Sequence, residues 1–436
     1  MPAPKLPLLN ALLSVVLLHL ASSTAQAQTT TDLLKSLDIS GQVRTLISAT
    51  ASNDASPTAL ANQQIPGVIS STTQQGVAEA ELHVSSKSIS AIATVQGLLS
   101  QHGANGSSNA GDPATQASVW LNELVGNINA GAWQLSAGKK IVGWDVGYGF
   151  RPNDVVQQEK RRTLISTTAI GRPLAMAEYF DASNAVALVW VNPSHSATSD
   201  TVQEQAFAAR VYRREGNLDW HGFARYGQVT GSSVGAAAAW VASDALELHA
   251  SARIMQHAPG LTSTAAPGAL LRSSPWQAQL QDQRSQVLIG ANFTTESQHS
   301  FFLEAWWDGT ALADSQWQAW RQRNLQLHNS AAMLPQYQRE IGYNLAWQNQ
   351  ALSASANLRR KNLFARWSWQ TGPWETACDL LWTPEDRGHV ATVAFAWQGD
   401  RTRIDSGIRF YGGPTSAVLA QLPDARTAYV SATWEF

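Results

Sequence analysis

Residues 427–436, TAYVSATWEF, decide the fold class. Read with a period of two, Ala428, Val430, Ala432, Trp434 and Phe436 share one face, and Tyr429, Ser431, Thr433 and Glu435 share the other. Strict alternation over about ten residues marks a strand with one apolar and one polar face. An uncovered Phe at the end of such a strand is unusual for a soluble protein, whose termini are usually solvated.

The composition points the same way. Charged residues make up 14% of the chain, against roughly 25% in soluble domains. Hydrophobic residues make up 44%, yet beyond the first 27 positions no apolar run reaches the length of a membrane-spanning helix. Short apolar segments, 18 Trp and 30 Gly suit a transmembrane barrel with aromatic girdles better than a large soluble periplasmic β-protein. Cys378 is the single cysteine, which excludes an internal disulfide and a thiolate metal cluster.

The start of the chain agrees with its end. Residues 1–27 read as a cleaved secretory signal peptide: Lys5 in the n-region, an apolar stretch over 6–20, and the small-x-small site Ala25-Gln26-Ala27. Cleavage leaves 436 − 27 = 409 residues and, without Lys5, moves the formal charge from −2 to −3. That balance gives no footing for nucleic-acid binding.

Alternation predicts strands over 39–48, 77–85, 89–99, 119–128, 132–141, 175–180, 186–191, 205–213 and 218–228. It resumes over 234–241, 246–255, 286–294, 300–308, 362–370, 374–382, 390–398, 401–410 and 427–436. The fold class is therefore all-β, a transmembrane antiparallel up-and-down barrel of about 18 strands occupying residues 28–436. Links such as 85–88, 215–217, 370–373 and 399–400 are turn-sized and mostly alternate with longer ones. Residues 256–284 read as a long loop. Residues 310–360 read as another, with a helix over 345–360 or a hidden strand pair, since Ile341, Tyr343, Leu345 and Trp347 also alternate.

Lipid excludes charge, so the charge-bearing face of each strand points into the lumen. This sends Arg253, Arg225, Glu304, Arg366, Glu375, Asp379, Arg403, Asp405 and Arg409 inward, and Trp220, Trp307, Trp367, Trp374, Trp382, Trp397 and Trp434 outward. The stretch 142–174 lacks alternation and reads as a loop folded into the barrel to constrict it. From Lys139 to Arg172 the chain holds Lys139, Lys140, Arg151, Lys160, Arg161, Arg162 and Arg172 against Asp145, Asp154 and Glu159, a local charge of +4. Basic side chains around a pore favour anions. The expected solute pathway is those seven residues with Arg366, Arg403 and Arg409. The competing reading is that the loop charges pair with one another or meet lipopolysaccharide phosphates at the rim.

The closing stretch resembles the last strand of bacterial outer-membrane β-barrels, whose terminal aromatic residue belongs to the assembly signal. That implies an outer-membrane location, contact with its lipid and lipopolysaccharide, and recognition of Phe436 by the barrel-assembly machinery. In size, strand count and basic pore the chain resembles the alginate-export porins, which implies a channel for polar, anionic solutes or oligomers. A monomer, without cofactor, is the expected state. An adhesin or scaffold, or a barrel hydrolase, is the alternative. His83, His221 and His249 have lumenal parity, but no G-x-S-x-G or H-E-x-x-H pattern accompanies them. Residues 28–37 leave no room for the plug of a TonB-dependent transporter. No catalytic or metal-binding residue is expected.

Overall fold

Alternating side chains need a partner strand on each side to satisfy the backbone, and pairing runs through the whole chain. The computed structural model describes residues 37–103, 115–158, 169–192 and 204–436; the expected signal peptide and Lys160, Arg161 and Arg162 lie outside them. The strands are β1 (Asp38–Ser52), β2 (Ser71–Ser85), β3 (Ile89–Gly103), β4 (Thr115–Ala130), β5 (Trp133–Lys140) and β6 (Arg172–Phe180). Next come β7 (Asn184–Val191), β8 (Ala206–Glu215), β9 (Leu218–Gly227), β10 (Gly231–Ser243), β11 (Leu246–Ser263) and β12 (Trp276–Thr294). The last are β13 (His299–Asp308), β14 (Lys361–Thr371), β15 (Trp374–Thr383), β16 (Gly388–Gln398), β17 (Thr402–Gly412) and β18 (Asp424–Glu435).

Each strand pairs antiparallel with its neighbours in sequence, and β1 pairs with β18 from Gln42↔Glu435 to Ser52↔Asp424, so the 18-stranded sheet closes. Closure leaves no unpaired edge, the condition for a sheet to cross a bilayer. At the seam, Gly41 and Phe436 exchange backbone bonds of 3.1 and 3.0 Å. The Phe436 ring lies where a side chain at Gly41 would stand, 2.6 Å from its ideal Cβ.

The two faces differ as lipid and lumen require. Val119 (72% exposed), Phe207 (65%) and Ile254 (63%) stand outward with Trp220, Trp374, Trp382 and Trp434, and Cys378 is on the same face. Arg225, Arg253, Glu304, Asp379 and Arg409 are buried on the other. One rim carries the links 86–88, 131–132, 181–183, 216–217, 244–245, 295–298, 372–373 and 399–401, and the opposite rim carries the long links 53–70, 141–171, 264–275, 309–360 and 413–423 together with two short turns, 228–230 and 384–387. Short turns on one side and long loops on the other are the outer-membrane pattern.

Two expectations need correction. β11 and β12 run on past the predicted ends of their strands, pairing from His257↔Asp282 to Ser263↔Trp276, so the loop expected over 256–284 shrinks to 264–275. Above the membrane both faces of a hairpin are wet, so the apolar alternation that betrays a strand is lost. The long connection is largely helical: α2 (Asp314–Met333) and α3 (Gln338–Trp347) follow α1 (Pro57–Gln64) of the first loop. The helix expected over 345–360 is met in its first half only, by the end of α3 and a 3-10 stretch over Gln348–Ser353, and no hidden strand pair forms in 310–360. The spacing of Ile341 and Leu345, and of Tyr343 and Trp347, is i, i+4 as well as period two. The first pair is buried beside Ala61 and Leu327, and the second pair stacks at 6.4 Å.

Candidate functional site

The loop between β5 and β6 is held at its base by a bulge. β3 and β4 shift register between Thr94↔Glu123 and Val95↔Leu121, which turns both Asn122 and Glu123 into the wall, 0% and 8% exposed. A bulge re-aims side chains in this way. Glu123 Oε1 accepts the Ile141 N–H at 3.0 Å where the loop leaves the wall. The Asn122 amide donates to the Ala169 carbonyl, and its backbone carbonyl accepts the Gly171 N–H, where the loop returns.

From there residues 142–158 run along the inner wall. Val142, Trp144, Val155 and Val156 pack on Leu174, Met176, Val189, Ala208 and Phe223 of β6 to β9. Phe150 packs on Leu288, Trp306 and Phe364 of β12 to β14. Each such large side chain contributes on the order of 2 kcal/mol to docking. Wall arginines grip loop carbonyls: Arg225 donates to Val155 at 2.8 Å, and Arg172 donates to Gln157 at 3.0 and 3.2 Å. Asn153 reaches into the wall to Ser251 and the Ala252 and Ala236 carbonyls. It fits because Gly235 has no side chain: a Cβ there would lie 1.8 Å from Asn153 Oδ1.

Two carboxylates fix the tip. Asp145, with φ +104°, accepts from the Val146 and Asn153 N–H groups and the Ser251 hydroxyl. Burial pushes its carboxyl above the usual aspartate value, against those hydrogen bonds and the Arg151 charge. Glu304 of β13, 3% exposed, accepts the Tyr148 and Gly149 N–H groups at 2.7 Å each, with His249 Nε2 at 3.1 Å. His249 also lies 3.5 Å from Glu247. The lumenal histidine thus supports a loop anchor.

The described part of the loop covers the wall from β6 to β14. The bare wall beyond it holds a polar trough of about 320 Å³ spanning β14 to β18 and β1. Arg366 of β14 pairs with Asp379 (3.0 Å) and Glu375 (3.2 Å) of β15. Arg403 of β17 pairs with Asp405 (2.9 Å) and reaches Glu375 (3.3 Å) across β16. Arg44 of β1 pairs with Glu79 of β2 at 3.3 Å. Arg409, 1% exposed, donates to the Thr392 hydroxyl at 3.2 Å and forms no ion pair among the described residues. Tyr148 approaches the trough from the loop, its ring 5.3 Å from Phe302 and 5.9 Å from Phe364; Phe302 is the register partner of Arg366.

The basic residues singled out from the sequence therefore fall into several places. Arg366, Arg403 and Arg409 come together on the bare wall. Arg172 pins the loop, and Arg151 bonds the Gly147 carbonyl within it. Lys140 bonds Ser136 and lies 3.9 Å from Glu178. Lys139 pairs in register with outward Leu124 and bonds the Leu121 carbonyl, on the outer face rather than in the lumen. Its register follows from pairing to β4, which no charge count reveals. Arg44 was missed because its strand stretch, QVRTLISAT, carries a single charge.

No family model and no curated sequence matches the chain. Solved structures do. OccAB1 of Acinetobacter baumannii superposes with a TM-score of 0.52 at 9% identity, over 92% of this chain and 96% of that one. OccK8 (OprE) of Pseudomonas aeruginosa gives 0.49 at 9%, over 92% and 98%. OmpF of Salmonella typhi gives 0.46 at 10%, over 92% and 97%. The molecule has the fold of a bacterial porin. The likeness is one of fold.

Proposed function

We propose that the protein is an outer-membrane channel for the passive transport or export of small polar solutes, with a modest preference for anions. The observation that carries this reading is the polar trough left open beside the inward-folded loop of a closed, lipid-faced barrel. The loop narrows the lumen and presents Tyr148 to the wall. On that wall Arg44, Arg366, Arg403 and Arg409 stand against Glu79, Glu375, Asp379 and Asp405, four charges of each sign. Paired charges cancel much of one another's field. The three paired arginines share four carboxylates, so Arg409 brings the trough to neutrality, and the anion preference rests on the +4 charge of residues 139–172. Passage of an anionic oligomer is the narrower form of this proposal; it rests on the resemblance of the sequence to alginate-export porins, which the comparisons do not show. It places the chain in the outer membrane as a monomer among lipopolysaccharide, delivered by the assembly machinery through Phe436.

Liposome swelling tests the reading. Proteoliposomes should admit small sugars and organic acids at rates falling steeply with solute size. Swelling no faster than that of empty liposomes, from a barrel shown to be folded, would refute it.

A further inference from the structure

We infer that the wall trough between β14 and β17 is a subsite for small zwitterions, solutes that carry one carboxylate and one ammonium group close together. The inference rests on the channel reading and names the solute class its wall would retain. Glu375 stands at the centre: its Oε1 takes Arg366 Nη2 at 3.2 Å and its Oε2 takes Arg403 Nη2 at 3.3 Å. Arg366 is shared with Asp379 and Arg403 with Asp405. β16, which lies between Glu375 and Arg403, lines the trough with the small side chains Thr392, Ala394 and Ala396, so the charged groups border a depression.

The pairs around that depression are open to the pore. Side chains of Arg366, Glu375, Arg403 and Asp405 are 25%, 29%, 40% and 29% exposed. Ion pairs this accessible hold one another weakly and exchange readily. A solute carboxylate can take a guanidinium fork in place of one Glu375 oxygen, a charge-assisted and often bidentate contact. The freed Glu375 oxygen then needs a cation, and an ammonium on the same solute supplies it. A simple anion leaves that oxygen without a partner, and a simple cation leaves a guanidinium with only its second carboxylate, Asp379 for Arg366 or Asp405 for Arg403. Only a solute bearing both charges restores every pair.

Single-channel recordings with glycine, acetate or methylammonium added at equal concentration test this. Glycine should interrupt the current of the wild-type channel, with the two singly charged analogues about tenfold weaker, the size of one lost charge-assisted contact. Glu375→Gln should bring glycine down to the level of acetate, and Arg213→Gln, on the outer face at the short-turn rim, should change nothing. If Glu375→Gln does not fold, Ala396→Leu, which fills the depression, should abolish the glycine effect while salt conductance persists. Equal effects of all three solutes, or a glycine effect that survives both variants, would overturn the subsite and leave the channel standing. Absence of any salt conductance from the folded wild-type barrel would overturn the channel reading itself.

Discussion

Glu304→Gln tests how the loop is held. The wild-type carboxylate accepts two backbone N–H groups of the tip at 2.7 Å, from Tyr148 and Gly149, each on its own oxygen. Glutamine keeps the shape and one oxygen, but turns an amide donor toward the second N–H. A hydrogen bond to a charged group is worth about 1.5–3 kcal/mol, so losing one should weaken tip docking by about 3 kcal/mol. That corresponds to roughly two orders of magnitude in the population of the undocked tip. Phe150 remains stacked on Trp306 at 5.9 Å, so the loop should make brief excursions and stay associated. Single-channel recording reads this as new, short-lived conductance levels in the variant. A current histogram identical to wild type, with the variant folded, would refute the assignment of Glu304 as the anchor.

Further perturbations probe the same frame. Gly235→Val should expel Asn153, whose Oδ1 lies 1.8 Å from an ideal Cβ at that position; protease cleavage within 142–158 should rise well above wild type. Asp145, raised by burial, binds its proton more tightly docked than free. It should therefore favour docking as pH falls through its raised value toward the ordinary aspartate value, and lose that contribution as pH rises. Excursions measured across this window should show less pH dependence in Asp145→Asn, and an unchanged slope would count against the role. Gly41→Val should collide with the Phe436 ring and the Glu81 carbonyl at the seam, reducing the heat-modifiable folded band on gels. Normal yield of that band would show that the seam tolerates a side chain there.

Much of the fold was legible because the bilayer imposes a simple code. Where strands cross lipid, as in residues 427–436 or 401–410, every second residue must be apolar, and that signal survives without any knowledge of partners. It fades where the hairpin of β11 and β12 rises into water. It is also ambiguous in 338–347, where aromatic and aliphatic residues satisfy helical and extended periods together. The site was legible only in part. Arg366, Arg403 and Arg409 could be sent inward by parity alone. Whether a charge faces a pore or grips a loop depends on contacts far apart in sequence, as with Arg225 and the Val155 carbonyl. The bulge at Asn122 that anchors the loop base adds one residue to a strand, and nothing local announces it.

Conductance and reversal potential of the purified protein in a planar bilayer under a potassium chloride gradient show whether the barrel is an open channel. Steady, ohmic single-channel steps are expected, with a reversal potential slightly displaced toward chloride and loss of that displacement in Arg409→Gln. A folded barrel that conducts no ions, or one strongly selective for potassium, would contradict it.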